Sequence, residues 1–540
     1  MAVVLCPPIG REARCAYRPL HLWSEALAQQ GFQVLRYDHP GEGDSLQLPA
    51  QADQWRAWRD GLVHAADFAR AHTGASRLVL CGLRIGATLA LDAAAKVRPD
   101  GLVLLSPVIS GEGWLRDLRL ASVIQGAPET RDGAIEVDGL RLSPATVASL
   151  QQVDVRTVEP SWRAACLATP RSARELAQYL GPCAAVRGFE GHATFFKEAH
   201  VNKPPWGVLK AATRWLERFA AEAPAAAAAP APRPPRFHSA QWRERPLSFG
   251  AGLRGVLTEP RGAPGRRAVI IGNTAADPRA GIGSFAAHAA RALAARGMAV
   301  LRMDFAGLGE SDAPDGAWRT HVYETSRLAD FKAAAEVLRQ SGYSDISLLG
   351  VCTGGFHAVD AVLEGAFDHA IAINSWLIWR PEHMPLEVRS ELAQGSSPDG
   401  AQSGPLGLAF GRLRASATRR LRTLVSAALP DEACRSLRAR IRCAGRRKAR
   451  IDLLFGRGDA AMRWMEGDFG FNGAWLARRR GVRVRICADL DHALFSRSSQ
   501  ACALREIFRF LDLEPGAARG AMEPPSRDTR PVIRADALHL

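Results

Sequence analysis

A repetition constrains this chain more than any other feature. An apolar strand over 2–5 is followed by a helix-compatible segment over 19–30, with Leu22, Ala26 and Leu27 on one face and Gly31 as its stop. A strand over 32–37 then enters Asp38-His39-Pro40-Gly41-Glu42-Gly43-Asp44-Ser45, and a helical stretch over about 52–71 leads to a buried strand at 78–81 and the turn Gly82-Leu83-Arg84-Ile85-Gly86. The same order returns from 268: a strand, a helix marked by Phe285, Ala289, Ala292 and Leu293 and stopped by Gly297, and a strand over 298–303. Asp304-Phe305-Ala306-Gly307-Leu308-Gly309-Glu310-Ser311 follows, then a helix near 325–340, a strand over 346–349 and the turn Gly350-Val351-Cys352-Thr353-Gly354. Arg84 lies 46 positions after Asp38, and Cys352 lies 48 after Asp304. A period this long is a domain duplication and not a solenoid repeat. Strands alternating with helices predict, in each copy, a mostly parallel sheet covered on both faces.

The second turn carries chemistry. A strand that bends sharply into a helix forces strained dihedrals on the residue at the bend and leaves no room for neighbouring Cβ atoms, which explains glycine at 350, 354 and 355. Cys352 would stand exposed at the carboxyl edge of the sheet, as a nucleophile does in Gly-x-Ser-x-Gly elbows. The backbone N–H of Thr353, at the helix start, would face an oxyanion, with a second donor from Asn273 or Thr274. A thiol nucleophile needs a base, and the base needs an orienting carboxylate. After Cys352, a strand over 451–455 ends in Gly456-Arg457-Gly458-Asp459, and a strand over 482–486 leads to Asp489-Leu490-Asp491-His492 before a final helix over 500–511. The order Cys352, Asp459, His492 supplies nucleophile, acid and base. Glu466 and Asp468 compete for the acid position, and Asp491 is an alternative loop stabiliser. Asp304 and Ser311 are read as turn-setting residues with no chemical role.

The paired turns and elbows, with the late Gly-Arg-Gly-Asp and Asp-His, resemble the α/β-hydrolase fold over nearly the whole chain, twice. The opening Cys6-Pro7-Pro8-Ile9-Gly10-Arg11-Glu12 and the elbow Gly82-Leu83-Arg84-Ile85-Gly86-Ala87 further resemble the exosortase-A-associated hydrolases of bacteria, which are serine aminopeptidase-like. That resemblance implies a link to exopolysaccharide and surface-export loci. Gly350-Val351-Cys352-Thr353-Gly354-Gly355 is locally similar to the elbow of polyhydroxyalkanoate synthases, and dienelactone hydrolases also carry a cysteine elbow.

The expected organisation is two tandem α/β-hydrolase domains, over 1–221 and 239–514. An Ala/Pro-rich linker at 222–238 joins them, and a Pro-, Gly- and Arg-rich tail at 515–540 is expected to be disordered. Additional strand-like segments at 246–249 and 252–258 precede the second core, whereas the first copy starts at the equivalent of the second copy's third strand. In the first copy Arg84 takes the nucleophile position, and a guanidinium cannot attack a carbonyl. No carboxylate follows the strand near 164–167 until Glu175, and His192 and His200 have no evident acid. This copy is expected to lack triad chemistry. Arg84 is either an anion-binding group at the old elbow or part of a structural partner for the second copy.

An insertion over about 376–450 interleaves Arg412, Arg414, Arg419, Arg420 and Arg422 with Leu413, Leu421 and Leu424, a helical basic cap over an acyl site or a solvated basic surface. The net charge of +15 admits anionic partners, such as a carrier-bound acyl group or peripheral contact with a membrane surface, or reflects an Ala/Arg compositional bias. No nucleic-acid-binding motif, metal-ligand spacing or apolar run of ~18 residues is present, so no nucleic acid, metal, cofactor or transmembrane helix is expected. Ten scattered cysteines without CxxC and an opening without a basic n-region point to a reducing, cytoplasmic setting. The expected activity is hydrolysis of an acyl ester or thioester through an acyl-cysteine. Transfer of the same acyl group, and a non-catalytic binding scaffold, are the alternatives.

Overall fold

The computed structural model describes all residues except 126–131, 159–161, 170–174, 177, 181–183, 222–235, 263–264, 315, 317, 319–321, 379–431, 514–531 and 535–540. Its strands in chain order are β1 (Ala2–Cys6), β2 (Gln33–Asp38), β3 (Leu78–Leu83), β4 (Gly101–Leu105), β5 (Ile135–Val137), β6 (Leu140–Leu142), β7 (Arg163–Ala168) and β8 (Ala184–Gly188). They continue as β9 (Phe237–His238), β10 (Trp242–Phe249), β11 (Leu253–Pro260), β12 (Arg267–Ile271), β13 (Ala299–Asp304), β14 (Asp345–Val351), β15 (His369–Ile373), β16 (Arg450–Gly456), β17 (Val482–Cys487) and β18 (Val532–Arg534).

These strands build two main sheets. One runs β18-β2-β1-β3-β4-β7-β8, the other β17-β16-β15-β14-β12-β13-β11-β10-β9. The order β2-β1-β3-β4-β7-β8 is that of β13-β12-β14-β15-β16-β17, and both runs are parallel throughout. The second sheet alone continues through the antiparallel β11, β10 and β9. The central strands read as near-continuous apolar runs because both faces are covered: Val3, Val4, Leu80, Val269, Ile270 and Leu348 are fully buried. Each sheet has an apolar cluster on either side, four in all.

Two expectations about the ends of the halves change. β9 lies inside the span expected as linker, and Val532–Arg534 pairs antiparallel with β2, so three residues of the tail form an edge strand. The cap changes as well. Residues 379–431, with Arg412 to Arg422, lie outside the described residues. The helix Glu432–Arg446, expected within the cap, instead belongs to the body. It buries Cys434, Leu437, Ile441 and Ala444 at its 3.6-residue spacing, with the helix Thr353–Leu363 among its neighbours. Three of its five arginines are engaged: Arg440 pairs with Asp360 and Glu364, and Arg438 and Arg442 lie over the Trp475 ring.

The turns after β2 and β13 are built alike. Ser45 Oγ donates to the Asp38 carbonyl at 2.8 Å, and Ser311 Oγ to the Asp304 carbonyl at 2.6 Å. Each aspartate also accepts a backbone N–H from its own turn, Asp44 on Asp38 and Glu310 on Asp304. A Cβ at Gly309 would stand 2.2 Å from the Asp304 carboxyl, and Gly309 has φ +51°, so only glycine lets the chain wrap its own aspartate. The turn-setting role read for Asp304 and Ser311 is what these contacts perform. Among the described residues no helix is long and apolar enough to cross a membrane.

Candidate active site

β14 runs into the helix Thr353–Leu363 through a single residue, Cys352, held at φ 52°, ψ −115°. Its N–H donates to the Ile373 carbonyl on the neighbouring β15 at 2.9 Å. The glycines permit the bend: a Cβ at Gly355 would lie 2.0 Å from Ser375 Oγ, and one at Gly354 would lie 2.6 Å from the Asn273 carbonyl. A non-glycine residue at positive φ is costly and is kept where the surroundings over-determine it. Here the strained residue is the one with the reactive side chain.

Asp459 and His492 converge on it. Asp459 follows β16 and caps the helix Ala460–Phe469, its Oδ1 accepting from the Ala461 N–H at 2.6 Å. Its other oxygen lies 2.7 Å from His492 Nδ1. His492 in turn stands close enough to Cys352 for its charge to act on the thiol. Of the competing acids, Glu466 accepts from the Asn472 N–H instead. Asp491 accepts from the backbones of Phe495 and Ser496 and so shapes the loop before the last helix.

Asn374, which no sequence motif singled out, ties these pieces together. It is fully buried at φ 47°, just after β15. Its side-chain amide donates to the carbonyls of Asp491 (2.7 Å) and His492 (3.0 Å), and its carbonyl oxygen accepts from the Gly456 N–H (2.7 Å). One amide therefore links the end of the acid's strand to the histidine loop.

Electrostatics favour an ion pair. Burial pushes the Cys352 thiol up, but the neighbouring imidazolium outweighs it, helped by hydrogen bonds from Tyr323 and the Thr353 N–H. The thiol is left below the ordinary cysteine range. For His492 burial works downward, but the Cys352 thiolate and the Asp459 carboxylate hold the imidazolium well above its ordinary value. Buried cysteines with no imidazolium beside them behave oppositely: burial pushes Cys6, despite its tyrosine partner Tyr37, and Cys15 up to about 12.

Tyr323 is a second residue that sequence reading missed. Its hydroxyl is 3.3 Å from Cys352 Sγ, its ring stacks on Trp376 and meets Phe356 edge-on. The segment carrying it is pinned by buried His357, whose Nε2–H donates to the Val322 carbonyl at 2.7 Å. Nothing local in the sequence marks this approach, which depends on a loop folding back over the elbow.

On the oxyanion side, Asn273 does not offer its side chain. Its amide donates to the Asp277 carbonyl and to Asp304 Oδ1, and its oxygen accepts from the Phe305 N–H. The backbone N–H groups of Asn273 and Thr274 both have no acceptor among the described residues, and the loop they sit in touches the elbow where the Ala275 N–H donates to Thr353 Oγ1 at 2.7 Å.

In the first half, Arg84 has the same backbone as Cys352, φ 55°, ψ −125°. Its guanidinium is engaged, with Nε 2.7 Å from Glu12 and NH1 donating to the Ser106 carbonyl at 3.2 Å. Of the two readings of Arg84, these contacts describe a guanidinium paired with an internal carboxylate within its own half. His192 stands near enough that burial and the Arg84 charge push it down to about 4.

Residues 16–161 match the family Hydrolase_4, serine aminopeptidase, S33. That stretch contains Arg84, not Cys352, so the match falls on the half without a nucleophile. The fold is the α/β-hydrolase fold. No curated protein matches the chain. Among solved structures, a hypothetical protein of Pseudomonas aeruginosa is 15% identical, covering 51% of this chain and 95% of that one at a TM-score of 0.34. An α/β serine hydrolase homologue from Coxiella burnetii is 14% identical (50% and 96%, TM-score 0.30), and an esterase of Pyrococcus furiosus 15% identical (52% and 98%, TM-score 0.31).

A second Ser–His–Asp chain of hydrogen bonds exists and is structural. Ser347 Oγ lies 2.9 Å from His369 Nδ1, and His369 Nε2 lies 2.8 Å from Asp452, which also accepts two bonds from Arg483. These residues sit at the amino ends of β14, β15, β16 and β17, on the edge opposite Cys352. Ser347 lies within a regular strand paired on both sides, so no turn presents its hydroxyl with free backbone donors. Among the described residues no cluster of three His, Cys, Asp or Glu could hold a metal ion.

Proposed function

We propose that this α/β-hydrolase-type enzyme cleaves an acyl ester or thioester through a covalent acyl-cysteine, with Cys352 as nucleophile, His492 as base and Asp459 as its orienting acid. The observation that carries the reading is the strained elbow cysteine whose thiol feels the charge of a histidine that is itself 2.7 Å from a buried carboxylate. The Cys352 sulfur attacks the acyl carbon, and the oxyanion is met by the Thr353 N–H with the Thr274 N–H as second donor. His492 gives its proton to the leaving alkoxide or thiolate. It then takes a proton from water, whose oxygen attacks the acyl carbon and releases the acid and the thiol. The aromatic wall of Tyr323, Phe356 and Trp376 suits an apolar acyl group.

The same intermediate would serve transfer to an alcohol or amine, and a binding scaffold is the reading left if the thiol is unreactive. We read the chain as two tandem α/β-hydrolase domains derived by duplication, the first without a nucleophile. This is supported by the shared strand order and by the matching turns and elbows. The link to exopolysaccharide or surface-export metabolism is supported by the resemblance, a carrier-bound or anionic acyl substrate by the basic charge, and a cytoplasmic location by the scattered cysteines and the opening residues.

The test is acylation by p-nitrophenyl esters at neutral pH, read as a burst and as an acyl adduct on the Cys352 peptide. The adduct is expected in the native chain and absent in Cys352→Ala. Lack of any adduct on Cys352, with turnover unchanged in Cys352→Ala, would remove the proposal. Added alcohol or amine acceptors then separate hydrolysis from transfer.

A further inference from the structure

The two halves meet through buried charge, and the contacts are reciprocal. Arg36, two residues before Asp38, pairs with Glu310, while Arg302, two residues before Asp304, pairs with Asp44. Arg18 on the helix Arg11–Gln29 donates to the carbonyls of Gly309 and Ser311. Arg291 on the helix Phe285–Ala294 donates to those of Asp44 and Ser45. Each Asp-x-x-Gly-x-Gly turn thus receives a strand arginine and a helix arginine from the other half; Arg36 and Arg302 are counterparts in the repeat and pair self-complementarily, as across a two-fold interface, whereas Arg18 and Arg291 stand at non-equivalent helix positions.

One set of contacts breaks this symmetry and bears on the site. The loop between β12 and the helix Phe285–Ala294 carries the Thr274 N–H over the elbow. Asn273 holds it from within, and two of its charged residues reach the first half. Asp277 forms an ion pair with Arg14 at 2.9 Å, and Arg279 meets Asp44 at 3.0 Å while also pairing with Asp304 and Glu310. All four side chains of these two cross-half pairs are about nine-tenths buried or more, so neither pair is loosened by solvent. In the register that aligns Asp38 with Asp304 and Gly31 with Gly297, Arg279 falls opposite Ala13, so its clamp has no counterpart in the first half.

We propose that the first half acts on catalysis from outside: Arg14 and Asp44 are positioning residues that hold the oxyanion loop of the second half against the Cys352 elbow. This rests on the acyl-cysteine reading for its catalytic consequence, but not for the clamp itself. Without Arg14, Asp277 is left as a buried carboxylate with no cation, and the 273–281 loop loses one of its two anchors.

The test uses the full chain with Arg14→Met, Asp277→Asn and the conservative Arg14→Lys. Three rates are read: acylation of Cys352 by p-nitrophenyl acetate, alkylation of Cys352 by iodoacetamide, and hydrogen exchange of the amides over 272–281. Alkylation needs the thiolate but no oxyanion donor. Arg14→Met and Asp277→Asn are expected to slow acylation by about 10-fold or more, by analogy with loss of an oxyanion donor. Alkylation should stay within about twofold, exchange over 272–281 should rise, and Arg14→Lys should recover much of the acylation rate. Unchanged exchange across the loop overturns the clamp, as does a fall in alkylation parallel to acylation, which would mean that the whole site has loosened. If the native chain alkylates but never acylates, the acyl reading fails, and the exchange data still decide the clamp.

Discussion

Replacing Asp459 with asparagine isolates one charge. Asp459 has two jobs, capping the helix Ala460–Phe469 and holding His492. Asparagine is as good an N-cap as aspartate, so the helix should survive while the charge facing the imidazole is lost. Two unit charges about 4 Å apart are worth ~4 kcal/mol at an effective dielectric of about 20. The His492 side chain is 39% exposed, and solvent screening reduces this to roughly 2 kcal/mol. The His492 pKa should therefore fall, and the thiolate it stabilises should become less populated at neutral pH. The assay is the pH profile of Cys352 alkylation by iodoacetamide, followed on the Cys352 peptide. The native chain should react well below the ordinary thiol range, because its thiolate is paired with imidazolium. In Asp459→Asn that low-pH limb should shrink and the rate should climb mainly through ordinary thiol ionisation. Superimposable profiles in the two proteins would refute the assignment of Asp459 as the acid.

Further outcomes follow from the same contacts. Tyr323→Phe removes a hydrogen bond to a charged sulfur, worth about 1.5–3 kcal/mol, and should raise the Cys352 pKa by about 1–2 units in the same alkylation assay; no shift would mean that the hydroxyl does not donate to the thiolate. Arg302→Met strands two buried carboxylates, Asp44 and Glu244, and should cost about 3 kcal/mol in urea unfolding, the low end for such pairs because Arg279 and Arg291 still reach them. A loss under about 1 kcal/mol would count against a buried network joining the halves. Acid should unfold the protein early. Burial lowers His21 to about 3 and His39 and His357 to about 4, so the fold favours their neutral forms. That stability is fully present above the unfolded value of about 6.5 and is lost as pH falls toward 4, on the order of 3 kcal/mol per histidine. Glu42, raised to about 7 by burial, and Glu198, Asp277 and Asp330, also raised by burial, work in the opposite sense, but His192, lowered to about 4, and His288, lowered well below its ordinary value, add to the other three histidines and leave a net loss. A Tm that stays flat between pH 6.5 and 4 would contradict it.

The sequence by itself determined the repetition, the strand–turn–helix order, the elbow and the chain order of Cys352, Asp459 and His492. These are local signals: an apolar run, a glycine that must make room, or an acid just past a strand end is written in a few consecutive residues. That the wrapped turns are set by Asp304 and Ser311 was legible for the same reason, since donor and acceptor lie within seven positions. Only the tertiary structure decided which groups meet across long separations. Glu12 reaches Arg84 over 72 positions, and Asn374 bridges Gly456 and His492 over 82 and 118. Tyr323 approaches Cys352 through a loop of no regular pattern, and the helix Glu432–Arg446, basic like a lid, turns out to cover the core because its apolar stripe faces inward. The joining of the halves was invisible for a further physical reason. Its arginines and carboxylates read as ordinary surface charge in sequence, and nothing but the packing of one turn against the other removes them from water and makes each the partner of its counterpart.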